Sequence, residues 1–407
     1  MRSARRAVLA AITLLMSGAL AAGASAAPPV NVSVVASGLN SPKHLTWTDD
    51  GLLVTESGTG GPVGTSNCVT APPLEGPGTT QYCEGATGSV ALVRDGHTDT
   101  VLGGLPSVVE EDTGEALGVS AVAPLQTGLR GFWGGWQPWH RYGSGLAVLF
   151  QDELVDSDGT NGLSAPASTV FGTLQLGPWW SAEIAKFAAE NPQNPATLGG
   201  IPGVETTYDS DPFDVIDYGR GYVVVDAAAN SLLYVSPHGQ ISLLARFPTQ
   251  LEDAPAGVFG PGPVPIEAQA VPTAVAVGPD GALYVSQLVG VPSNPGTSDI
   301  FRVVPGQAPT VWATGLTAVT AIAFDRHGRL LATEYSTGGL LAPPTVPGAL
   351  VEVSQNGTQV TTLPVSGLYQ PTGVAVAPDG SVYVANYGTS PGSAATPGEV
   401  VRITGLG

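Results

Sequence analysis

Five apolar runs in this chain stop on a side chain able to hold a cation or a polar ligand. LLVTE ends on Glu56, YVVVD on Asp226, LYVSQ on Gln287, LLATE on Glu334 and VYVAN on Asn386; a sixth, LAVLF, ends on Phe150. His44 lies shortly before the first of these runs, and Asp211 and Asp214 lie shortly before the second. Carboxylates mixed with Asn and Gln oxygens are the ligands a hard cation such as calcium takes. If the runs converge, Glu56, Asp226, Glu334 and Asn386 are candidate metal ligands. Gln287, His44, Asp211 and Asp214 then complete a ligand-binding mouth. The competing reading is that strand-end polar residues hydrogen-bond their neighbours or line a wet channel. Both stand at this point. No G-x-S-x-G elbow, H-E-x-x-H motif or Gly-rich phosphate loop occurs, so serine-hydrolase and zinc-protease chemistry have no foothold.

The elements that must position these residues repeat. VAVGPDGALYVSQ (275–287) and VAVAPDGSVYVAN (374–386) say nearly the same thing twice, and GLNSPKHLTWTDDGLLVTESG (38–58), DSDPFDVIDYGRGYVVVDAAA (209–229) and LTAVTAIAFDRHGRLLATEYS (316–336) share their plan. Each is an apolar strand, a turn rich in Asp and Gly, and a second apolar strand, followed by a third and usually a fourth. Four short strands per unit with such turns is the pattern of a propeller blade. A degraded unit uses LGVSAVAPL (117–125), GLAVLF (145–150) and FGTLQL (171–176). Six units result, spanning 38–102, 105–180, 205–247, 271–314, 315–364 and 367–404. The last has three strands, and VNVSVVASGL (30–39) has no unit of its own. The fold class is therefore all-β, a six-bladed propeller closed by the N-terminal strand pairing with the last blade, which leaves no open edge.

In such a blade the first-to-second and third-to-fourth turns share one face, and here they are mostly tight. The second-to-third loops are long at 57–87, 151–169, 288–298, 336–348 and 387–398, as are the connectors 178–208 and 248–270, and all share the other face. Long loops on one side of a rigid scaffold are where binding sits. Ser181 is placed to cap a short helix, SAEIAKFAAE, that Pro192 ends. His97, His238 and His327 fall in tight turns on the opposite face, as solvated imidazoles. An insertion at 129–145 holds Phe132, Trp133, Trp136, Trp139 and Tyr142. These rings either form a contact loop for a partner or pack on one another as a small local core.

Residues 1–27 read as a signal peptide: Arg2, Arg5 and Arg6, an apolar run, then Ala24-Ser25-Ala26, with cleavage near residue 26 or 27. The mature domain is then 28–407, secreted, with no membrane span, no lipid-bearing cysteine at the cleavage site, and a monomeric state expected. Three of the 14 basic residues leave with the leader, so 11 face 33 acidic ones, a net charge of −22. That balance disfavours nucleic acid, whose phosphates need clustered Lys and Arg. Cys68 and Cys83 are the two cysteines. In an exported chain they point to a disulfide, since a metal site would need further His or Cys nearby.

GLNSPKHL, the cysteine pair in the long first loop, FGTL, VPTAVAVGPDGALYVSQLVGVPSNPG (271–296) and QPTGVAVAPDGSVYVANYG (370–388) resemble the ScyD/ScyE family of exported proteins, across essentially the whole mature chain. More loosely the blades look like NHL repeats and the gluconolactonase and strictosidine-synthase propellers. The Trp-rich insertion departs from the family pattern. The resemblance implies export and a propeller, and assigns no catalytic residues. Three functions follow as expectations: a non-catalytic extracellular protein binding a small molecule or another protein, a calcium-dependent hydrolase or lactonase using the mouth carboxylates, and an envelope role for the Trp-rich loop.

Overall fold

The computed structural model describes residues 29–71, 79–125, 145–151, 170–176, 180–192, 210–258, 261–389 and 396–406. Residues 1–28, most of the Trp-rich insertion (Phe132, Trp133, Trp136, Trp139 and Tyr142 included) and most of loop 151–169 lie outside them.

Six blade sheets follow the chain in order, all antiparallel. Blade one begins with Pro42–Thr48 and Gly51–Glu56, blade two with Val119–Pro124 and Leu146–Phe150, and blade three with Pro212–Tyr218 and Gly221–Asp226. Blade four begins with Pro272–Val277 and Leu283–Gln287, blade five with Val319–Phe324 and Leu330–Glu334, and blade six with Gly373–Val376 and Val382–Asn386. The ring closes as expected. Asn31–Leu39 pairs with Gly398–Thr404, from Asn31 opposite Thr404 to Leu39 opposite Gly398, as the fourth strand of blade six.

The second strands read as unbroken apolar runs because both of their faces are buried. Tyr222 and Val224 pack toward blade two, whereas Val223 and Val225 pack toward blade four. The same alternation sends Leu52 and Val54 toward blade six and Leu53 toward blade two. Six apolar clusters result, one between each neighbouring pair of blades. The core is thus a circle of interfaces, and the axis is left mostly to polar groups.

The Pro-Asp-Gly turns are latched. Asp280 accepts from the Ala282 N–H at 3.1 Å and from Arg302 Nε at 2.8 Å on the third strand. Asp379 repeats this with the Ser381 N–H at 2.9 Å and Arg402 Nη2 at 2.8 Å. Gly281 and Gly380, at φ 78° and 84°, take the left-handed position that closes the turn.

Two features differ from expectation. Ser181 does not cap a helix: Ser181–Glu183 is the fourth strand of blade two, and the helix runs Ile184–Glu190 with Glu183 at its N-cap and no side-chain cap bond. The pairing of Ser181 with Gln175 outweighs its capping preference. The connector before blade four is not a plain loop, since Gln250–Ala254 and Val264–Ala268 form a hairpin in it. Blade one also grows beyond its size. Thr80–Arg94 and His97–Glu110 continue past the blade as a ribbon on the long-loop face, where Cys68–Ala71 adds a strand and the Cys68–Cys83 disulfide joins directly opposed residues.

Candidate functional site

The first strand of nearly every blade carries a β-bulge just inside its N-terminal end. Register shifts fall between Pro42 and Leu45, Val119 and Ala121, Pro212 and Asp214, Pro272 and Ala274, and Val319 and Ala321. A bulge re-aims one side chain out of the pleat. Here the re-aimed residues are Lys43 and His44, Ser120, Phe213, Thr273 and Thr320, with Thr372 at the same place in blade six. With Gln151 they line a narrow axial funnel whose cavity is about 10 Å³, room for about one water-sized group.

Four of the six positions spend a hydroxyl on the next blade. Ser120 Oγ donates to the Pro212 carbonyl at 2.9 Å, Thr273 Oγ1 to Val319 at 2.7 Å, Thr320 Oγ1 to Pro371 at 2.7 Å and Thr372 Oγ1 to Pro42 at 2.6 Å. Each bond gives a partner to a backbone carbonyl at or just before the start of the next blade's first strand. Blades one and three break the pattern. Phe213 has no hydroxyl to give, and the carboxylate of Asp214 beside it accepts from the Val275 N–H at 2.8 Å instead. Blade one supplies Lys43 and His44, and Thr55 Oγ1 reaches across to the Ser120 carbonyl at 2.8 Å.

The exceptions hold the chemistry. His44 Nδ1 lies 3.3 Å from Asp214 Oδ1, so blades one and three are bridged past blade two. That oxygen is buried and makes no well-aligned hydrogen bond. Burial raises the Asp214 carboxyl pKa, against the lowering pull of His44 and of the Val275 and Val215 backbone groups. Lys43, 6 % exposed, gives one of its three N–H groups to Glu115 Oε1 at 3.3 Å. Gln151 Nε2 reaches Asp211 Oδ1 at 3.4 Å, and Ser57 Oγ reaches Gln151 Oε1 at 3.5 Å.

The strand-end residues do other work. Glu56 accepts from the Asn40 N–H at 2.7 Å and from Ser89 Oγ at 2.8 Å. Asp226 accepts from the Asp211 and Ala229 N–H groups at 2.9 and 3.1 Å and from Ser210 Oγ at 2.7 Å. Glu334 takes the Thr317 N–H at 2.9 Å, and Asn386 the Tyr369 N–H at 2.7 Å. In all four blades, then, the end of the second strand pins the connector entering the first. Gln287 instead donates to Gln250 Oε1 at 3.0 Å, docking the extra hairpin, while Phe150 packs on Phe171. Among the described residues no group of three His, Cys, Asp or Glu is placed to hold a metal ion. Burial pushes Asp226 up to about 7 and raises Glu334.

Of the sequence candidates, the structure brings His44 and Asp214 together, with Asp211 one residue removed through Gln151. Sequence reasoning missed Lys43, Gln151, Phe213 and the hydroxyl ring. The signal was present as a Ser or Thr before a small residue in VSAVAP, PTAVAV, VTAIAF and PTGVAV.

An NHL repeat model matches residues 368–390, the lead-in and inner hairpin of blade six. No curated protein matches the chain. Among solved structures, the chain is similar to an inactive virginiamycin B lyase from Staphylococcus aureus with quinupristin, at 13 % identity over 92 % of this chain and 99 % of that one, TM-score 0.43. It is similar to a gluconolactonase-like protein at 10 % identity over 92 % and 91 %, TM-score 0.40. It is also similar to the soluble aldose sugar dehydrogenase of Escherichia coli at 15 % identity over 92 % and 99 %, TM-score 0.38.

Proposed function

We propose that this chain is a secreted, monomeric ligand-binding propeller of the ScyD/ScyE type, exported by the leader at 1–27, whose mature domain 28–407 takes an extracellular small molecule or protein segment at the mouth of its axial funnel. One observation carries the reading: the first-strand hydroxyl that links four blades to the next is replaced at blades one and three, where Thr55 takes over the link from blade one, and those two positions put Lys43, His44 and Phe213 on the funnel wall. Lys43 keeps its ammonium nearly buried there, paired with Glu115 at 3.3 Å, and desolvating that charge is costly.

The calcium-dependent hydrolase is the second reading, and the donor set speaks against it, since its carboxylates are already bonded to connector N–H groups. Thermal melts with EDTA and then with added calcium separate the two. An unmoved midpoint agrees with metal-free binding, and a calcium-dependent rise overturns it. The site is tested by Thr320→Phe, which narrows the funnel. Small molecules from the producing cell's medium retained by the parent, and lost from a variant that still melts cooperatively, support the funnel. Identical retention by both removes it.

A further inference from the structure

Resting on that reading, we infer that the funnel recognises a neutral alcohol or polyol through one hydroxyl group, which donates to His44 Nε2 and accepts from Lys43 Nζ, with Asp214 as the positioning residue. The chemistry of the wall points this way. Asp214 Oδ1 faces His44 Nδ1 at 3.3 Å, and its Oδ2 is held by the Val275 N–H. The Asp214 carboxylate stands close to Nδ1 without a well-aligned hydrogen bond to it, and its charge favours the neutral tautomer protonated on that nitrogen, which leaves Nε2 as a lone-pair acceptor. Among the described residues no hydrogen bond is made by Nε2, although the ring lines the funnel. Lys43 has two N–H groups beyond the one Glu115 takes. An acceptor and a donor on one narrow wall match a hydroxyl, which is both.

Charge selects the class. Neither Glu115 nor Asp214 lines the funnel, and each sits beside one of its two basic groups. A free anion meets an ammonium already paired with Glu115, in a mature chain with three acidic residues for each basic one. A cation meets that ammonium directly. A neutral group meets neither penalty. Phe213 adds an apolar surface for the carbon skeleton behind the hydroxyl.

The test uses the mature chain carrying nitrogen-labelled histidine, at mildly alkaline pH, with His44 assigned by the peak that His44→Phe removes. Methanol, ethylene glycol and glycerol are titrated as probes, with acetate and methylammonium as charged comparisons. The expected result is a saturable shift of His44 Nε2 with the alcohols and none with the ions. Lys43→Met weakens the binding about tenfold, the equivalent of one hydrogen bond. Asp214→Asn moves the proton from Nδ1 toward Nε2, a tautomer change that loss of packing alone does not produce. Absence of a saturable shift with all three alcohols, or an equal shift with acetate, overturns the inference. If that occurs while Thr320→Phe still loses its small-molecule retention, the binding reading survives without this ligand class. Equal retention by parent and Thr320→Phe brings down both.

Discussion

Asp226 offers the sharpest quantitative test of how the ring is held. Its side chain is fully buried and accepts three hydrogen bonds, from Ser210 Oγ and the Asp211 and Ala229 N–H groups. Burial outweighs those bonds and pushes its pKa from 3.8 to about 7, with the nearby Asp211 charge adding to the rise. The folded state therefore holds a proton that the unfolded chain has released, across the window from about pH 4 to about pH 7. Stability from this group is fully present below pH 4 and is lost as pH rises through 7. About three pH units at about 1.4 kcal/mol each give an upper limit of about 4 kcal/mol. Asp226→Asn keeps an oxygen for the two backbone N–H groups and an NH₂ for Ser210, without the ionisation. Urea unfolding of both proteins at intervals between pH 4 and pH 8 reads the effect, with m held constant as the check on a shared mechanism. The difference between variant and parent is expected to swing in the variant's favour by up to that amount as pH rises. Asp214 and Asp299, whose burial also raises their pKa values, contribute equally to both curves. Parallel curves across the window refute the claim that Asp226 is protonated in the fold at mildly acid pH.

Thr372→Val leaves the Pro42 carbonyl without the donor that links the last blade to the first, at a cost of about 1–3 kcal/mol. The exposed Thr358→Val serves as the comparison, with an expected change within about 0.5 kcal/mol, and equal melts for the two variants deny the hydroxyl ring a role in stability. Removing residues 29–37 bares the Gly398–Thr404 edge, so light scattering is expected to show self-association beside a lowered melting midpoint. A monodisperse, undiminished protein shows that closure does not hold the ring. Replacing Cys68 and Cys83 together by serine opens a loop of fifteen positions, and chemical unfolding is expected to register a loss of about 3 kcal/mol. An unchanged midpoint indicates that the blade-one ribbon unfolds independently of the ring.

The ring was legible because its cause is local. Asp-Gly turns at 49–51, 280–281 and 379–380 punctuate apolar runs whose both-sides burial writes itself as an unbroken string of Leu, Val and Tyr. The orphan strand at 30–39 followed from arithmetic, since one blade lacked a strand and one strand lacked a blade. The site was less legible for a geometric reason. Position at the end of the second strand predicts which face a residue reaches, but not whether its oxygens point to the axis or turn back to the connector. Glu56, Asp226, Glu334 and Asn386 turn back, because connector N–H groups otherwise go unpaired.

What points to the axis is decided by the bulge, one residue out of register on the first strand, and a bulge has no composition of its own. Its trace lies in the comparison between repeats. Ser120, Thr273, Thr320 and Thr372 occupy one buried place in four blades, where each hydroxyl serves a carbonyl of the next blade. Once that rule is seen, Lys43-His44 and Phe213-Asp214 stand out as the two places where it fails. Both failures put side chains on the same funnel wall, Lys43 and His44 from one and Phe213 from the other, and they meet beside it, at 3.3 Å between His44 and Asp214. Symmetry explains the scaffold, and the departures from it are where this propeller differs from a ring that merely holds itself closed.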